Sequence, residues 1–149
     1  MVDNYIAEWD ETKWIVGSSW TFCIPAVYAY TRQFYINSVL LVITSIISAN
    51  FWRKATYSWR RNLDLVYAKF VFVVFVSQGV YYVRYIPYFI VSYPLMGTLI
   101  YCYYLSEKYH KIKYPYWYRY HVAFHLMMTC ELFMIIDSLP KTTFPVSQT

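Results

Sequence analysis

Hydrophobic and polar positions divide this chain into long apolar runs separated by short polar or basic breaks. Five runs predict helices, at about residues 14–30, 34–51, 65–83, 86–105 and 120–136. Each is close to the roughly 20 residues that carry an α-helix across a bilayer. Within the second run, Ser38, Thr44, Ser45 and Ser48 are small hydroxyl residues suited to close helix packing. Pro25 falls inside the first run and Pro94 inside the fourth. Both are tolerable where neighbouring helices take up the freed carbonyl, and Pro94 predicts a kink. Gly97 predicts a close approach of another helix, and the short break at Arg84 and Pro87 predicts that runs three and four are antiparallel neighbours.

The breaks are as informative. Residues 1–13 are polar and acidic, with Tyr5, Ile6 and Trp9 suited to an interface; the following Trp14 opens the first run. Trp52 to Asp64 forms a basic-aromatic linker, Ser106 to Arg119 a polar-aromatic loop, and 138–149 a tail without periodicity, expected to be loose. Of the whole chain, 59% is apolar and only 14% charged. A water-soluble domain of 149 residues could not hide that much apolar surface. The 19 tyrosines suit a membrane boundary, which accommodates an apolar ring and a polar tip together. The expected class is therefore an all-α, polytopic integral membrane bundle of about five transmembrane helices, one domain over residues 1–149.

Charge adds an orientation. Arg53, Lys54, Arg60 and Arg61 lie in the second break and Lys108, Lys111, Lys113 and Arg119 in the fourth. The first holds only Arg32, the third Arg84 and the tail Lys141. With five spans, the two basic breaks share a side with the N-terminus, which the positive-inside rule assigns to the cytosol. The net charge of +5 thus points to anionic lipid headgroups rather than to nucleic acid. Cys23, Cys102 and Cys130 lie inside apolar runs without a pairing pattern and are expected to be buried thiols. The acidic N-terminus is the reverse of a signal-peptide n-region, so no cleavable signal is expected.

Four residues with candidate chemistry gather at the basic side. Ser48 ends the second run, Asp64 opens the third, and His121 and His125 open the fifth. The histidines stand at i and i+4, so both imidazoles project from one helix face at a spacing that allows two nitrogens to share a zinc ion. Such an ion lowers the pKa of its water toward neutrality, and a nearby carboxylate moves the proton. The alternative is structural: the histidines belong to an interfacial belt, Asp64 caps the third helix, and Ser48 packs. Glu131 lies off the histidine face, where it is protonated, pairs with Lys69 or Arg84, or lines a polar crevice. His110 lies in the loop, within reach of the pair.

The order Ser48, Asp64, His121-x-x-x-His125 resembles the superfamily of alkaline ceramidases and adiponectin/progestin-type receptors. That resemblance implies a membrane hydrolase with metal ligands His121 and His125, and with Ser48 and Asp64 beside a zinc-bound water. Members have seven spans and a third histidine three residues after the serine, where this chain has Phe51; Asp64 or His110 would then complete the set. The function so implied is hydrolysis of a lipid amide or ester at the cytosolic leaflet. Its alternative is a non-enzymatic membrane scaffold or assembly protein working through helix packing and lipid contact. A channel lined by Lys69, Arg84 and Glu131 ranks below both, for want of a filter loop or paired broken helices.

Overall fold

The computed structural model describes residues 6–140. Its helices are α1 (Trp9–Ser19), α2 (Cys23–Thr31), α3 (Tyr35–Trp52), α4 (Trp59–Tyr82), α5 (Ile86–Lys111) and α6 (Trp117–Ser138). A 3-10 turn over Trp20–Phe22 joins α1 to α2, so the predicted first run becomes two helices in series. Its cause is Pro25, which has no N–H for the Thr21 carbonyl. The Cys23 amide turns back to the Trp20 and Thr21 carbonyls instead. Pro94, by contrast, sits inside an uninterrupted α5.

Three helices, α3, α4 and α5, are long and apolar enough to cross a membrane. The polar breaks are shorter than the sequence suggests. Arg60, Arg61 and Asp64 belong to α4, whose N-cap is Ser58, so Asp64 lies more than a turn inside the helix and is not its cap. The loop at 106–119 shrinks because α5 runs on to Lys111 and α6 starts at Trp117. The tail beyond Pro140 and the first five residues lie outside the described residues.

The bundle is apolar outside, and its interior mixes apolar clusters with buried polar side chains. Ile36, Val39, Ile43 and Ile46 of α3 face outward, with Ile36 78% exposed. Asn37, Ser38, Leu41, Ser45 and Ser48 of the same helix are buried. On α4, Val66, Phe70, Val73 and Val80 form a second outward stripe, and only Val71 and Phe75 are buried. Water would reject such stripes; hydrocarbon accepts them without penalty. Small residues let the backbones approach, so α2 packs on α3 and α5 on α6.

Helices α4 and α5 do not pack directly on each other, although only Val83–Tyr85 joins them. Both lean on α6, and a cavity of about 70 Å³ remains between them, lined by Val76, Gly79, Ser92, Met96 and Ile135 among others. Gly79 is the glycine that permits close approach: a β-carbon there would meet Ile135 at 3.3 Å, whereas one at Gly97 would meet nothing. Cys102 is buried, Cys23 half-buried and Cys130 exposed, so the expectation of three buried thiols fails for Cys130.

Two helix ends use the same device. After α2, Phe34 and Gln33 donate to the Ala29 and Tyr30 carbonyls; after α5, Tyr114 and Lys113 donate to those of Tyr109 and His110. This double closure requires a left-handed residue, and Gln33 (φ 65°) and Lys113 (φ 55°) supply it without glycine. At the Gln33 end, Arg32 Nη1 bonds Asp137 Oδ1 at 2.6 Å and Tyr88 donates to Oδ2 at 2.8 Å, with Tyr28 also on Oδ1. The cluster ties α2, α5 and α6 together. Those hydroxyls, Tyr28 first, and then Arg32 hold the Asp137 carboxyl below its ordinary value.

Candidate functional site

At the opposite end, three distant stretches meet. The Ile6 amide donates to the Ala55 carbonyl at 2.8 Å, and His110 Nε2 lies 2.9 Å from the Ile6 carbonyl. A carbonyl only accepts, so His110 carries its proton on Nε2 there. Its ring meets Trp117 edge-on, and Ile15, Phe51, Trp52, Ala55 and Trp117 form a small apolar cluster beneath. Phe51 is thus a packing residue in that cluster, in contact with Trp52.

Directly below lie the two histidines. The His121 and His125 rings have centroids 4.8 Å apart and meet edge to face. His121 Nδ1 is 3.2 Å from Ser106 Oγ of α5, and His125 Nδ1 is 2.8 Å from Ser18 Oγ of α1. Trp52 packs edge-on against His121, and Phe22 against His125. His125 is only 3% exposed. Each imidazole therefore staples α6 to a different neighbour.

Ser48 belongs to the adjoining hydroxyl network rather than to the histidines. Ser19 Oγ spends its one proton on the Ile15 carbonyl at 2.8 Å, so Ser48 must be the donor in the 2.9 Å Ser19–Ser48 bond. Ser45 donates to the Ser19 carbonyl at 2.9 Å, which fastens α3 to the C-terminal turn of α1. Ser18, Ser19 and Ser106 were missed from the sequence. The run Gly17-Ser18-Ser19 inside an apolar stretch is the signal that marked the first two; for Ser106, lying in an expected loop, there was none.

Asp64 stands apart. Lys13–Asp10 and Arg32–Asp137 are the ion pairs among the described residues, and neither involves it. It sits in the second turn of α4, and no side-chain hydrogen bond among the described residues joins it to either histidine. His110 faces Ile6 and Trp117 instead of completing the pair. Among the described residues no three His, Cys, Asp or Glu side chains are grouped so as to hold a metal ion. A catalytic zinc takes three protein ligands and an open position. Two imidazoles are one ligand short of that set; the serine contacts at Nδ1 leave each Nε2 as the nitrogen available to an ion. No family model, curated protein or solved structure matches the chain.

Glu131 is a further buried ionisable group. It is fully buried, Ser92 of α5 donates to its Oε2 at 2.6 Å, and Oε1 has no partner. Lys69 and Arg84 are exposed on other parts of the surface, so the carboxyl pairs with a hydroxyl instead of with either cation.

Proposed function

We propose that this chain is a five-span integral membrane protein, basic end in the cytosol, serving as a non-catalytic scaffold through helix packing and lipid contact. The supporting observation is the reversed polarity of α3: isoleucines and Val39 point outward while Asn37, Ser38, Ser45 and Ser48 point inward. Lipid is the solvent that suits the outer face, and interhelical hydrogen bonds suit the inner one. His121 and His125 serve here as two more interhelical staples. Both basic breaks and the N-terminal segment lie at one end, as an odd number of spans requires; α1–α2 and α6 join α3–α5 to make five.

A second reading, a reduced relative of the zinc-dependent lipid amide hydrolases, draws support from the juxtaposition of the His121 and His125 rings. In it the imidazoles hold zinc, and a lipid amide is cleaved at the cytosolic leaflet. The deciding experiment is metal analysis of the detergent-purified protein beside a His121→Ala/His125→Ala variant. The scaffold reading expects no stoichiometric metal in either. Stoichiometric zinc in the parent, lost from the variant, would overturn it and make lipid amide hydrolysis the activity to assay.

A further inference from the structure

The basic end carries an open depression of about 1350 Å³, lined by the N-terminal segment, the α3–α4 linker and the α5–α6 turn. Arg53 and Lys54 come from the linker, Arg60 from the first turn of α4, Lys113 from the turn, and Glu8 and Glu11 from the start of α1. Thr12, Ala55 and Trp117 also line it. The ion pairs among the described residues involve none of these six charged side chains. Four cations against two carboxylates leave two positive charges uncompensated. His110 also lines the depression but spends its Nε2 proton on Ile6.

Unpaired like charges held together by a fold repel one another, and an anion of matching charge relieves that repulsion. Two excess charges match a phosphomonoester, which carries about −1.5 to −2 at neutral pH. The carboxylates do not suit a phosphate, but they accept hydrogen bonds from hydroxyls. One concave site with a basic wall and a carboxylate wall therefore fits a headgroup with both a phosphate and free hydroxyls. The level is also right for a headgroup. Trp9 lines the depression and is 54% exposed, and Tyr57 of the linker and Trp59 at the start of α4 are exposed beside it. Arg61 and Arg60 lie over those last two rings at 5.3 and 5.9 Å. Tryptophan and tyrosine favour the membrane–water interface, where lipid phosphates lie.

We infer that this depression binds the headgroup of a membrane lipid whose polyhydroxylated ring carries a phosphomonoester: the phosphate on Arg53, Lys54, Arg60 and Lys113, the hydroxyls toward Glu8 and Glu11. The inference rests on the membrane reading above. It adds a lipid class and a site to the general attraction of a basic face for anionic headgroups. A patch acting through net charge alone would take any anionic lipid equally, whereas the two-walled site discriminates.

The test uses the full chain in detergent, titrated with dioctanoyl phosphatidylinositol phosphate, dioctanoyl phosphatidylserine and dioctanoyl phosphatidylcholine, with Trp fluorescence as the readout. Free inositol phosphate is the competitor. Expected is binding of the inositol lipid at least tenfold tighter than of the other two. Arg53→Gln/Lys54→Gln should weaken it at least tenfold and Lys113→Gln several-fold. Arg84→Gln, at the other end of the bundle, should leave it unchanged. Glu8→Gln/Glu11→Gln should narrow the margin over phosphatidylserine. Equal affinity for the three lipids overturns the site, as does unweakened binding by the double cation variant with an unchanged melting temperature. Free inositol phosphate competing as tightly as the lipid would assign the depression to a soluble anion and overturn the lipid source. Alkaline carbonate extraction of membranes separates the two levels. A chain that extracts refutes the membrane reading; a resistant chain that fails to discriminate refutes the site alone.

Discussion

Replacing Asp137 with asparagine should loosen the end of the bundle where α2, α5 and α6 meet. The carboxylate accepts from Tyr28, Tyr88 and Arg32, and the Arg32 and Asp137 side chains are 21% and 36% exposed. A hydrogen bond to a charged acceptor contributes about 1.5–3 kcal/mol when buried, and an exposed ion pair about 0–1 kcal/mol. Discounting for exposure, and allowing the amide oxygen to keep one tyrosine, the expected loss is about 2 kcal/mol. Arg32→Gln should cost less than about 1 kcal/mol, because Asp137 retains both phenols. The pH dependence has a definite sign. A carboxyl held low in the folded state contributes fully above its unfolded value of about 3.9, and the contribution disappears as pH falls through the depressed folded value. Thermal unfolding in detergent, followed by circular dichroism from pH 7 to pH 3, should show the parent converging on Asp137→Asn as acid is added. A gap between them that is absent at pH 7, or that widens on acidification, would refute the reasoning.

Other substitutions test the interior and the helix ends. Glu131→Gln keeps an acceptor for Ser92 and should be tolerated, whereas Glu131→Ala should cost about 2–4 kcal/mol through a cavity and an unpaired hydroxyl; chemical denaturation in mixed micelles reads both. Ser18→Ala removes the partner of a buried imidazole and should cost about 1–3 kcal/mol. Ser48→Ala should cost under about 1 kcal/mol, because Ser19 keeps its bond to the Ile15 carbonyl. Equal losses in the same melting assay would contradict that division of roles. Gln33→Gly relieves a left-handed residue that is exposed and makes no packing contact of note, and should raise stability by about 0.5–1 kcal/mol; a lower melting temperature would count against the closure described after α2.

The apolar periodicity made the positions of the helices legible, because a run long enough to span lipid is written directly in the sequence. The facing of His121 and His125 was legible too, since i and i+4 share a helix face whatever surrounds it. Their partners were not. Ser18 and Ser106 are small residues without spacing of their own, and only the fold brings α1 and α5 against α6. Asp64 went astray because the linker's charges suggested a loop, while Trp59 to Asp64 coils into α4 and carries the carboxylate past the helix start. Gly97 and Gly79 look equivalent in sequence; packing alone decides that Gly79 meets Ile135. The left-handed residues at Gln33 and Lys113 escaped notice because no glycine marks them. The 3-10 turn at Trp20–Phe22 lies just upstream of Pro25, which the sequence had already singled out, and it follows from the missing N–H.

The most direct measurement is the topology of single-cysteine variants in sealed microsomes whose cytosolic face is outside. Cys23, Cys102 and Cys130 are replaced by alanine, and Lys54→Cys, Lys113→Cys and Arg84→Cys are labelled one at a time with a membrane-impermeant maleimide. Five spans with a cytosolic basic end predict that the Lys54 and Lys113 positions label in intact vesicles, and the Arg84 position only after permeabilisation. Labelling of all three in intact vesicles, or the reverse pattern, would contradict the account.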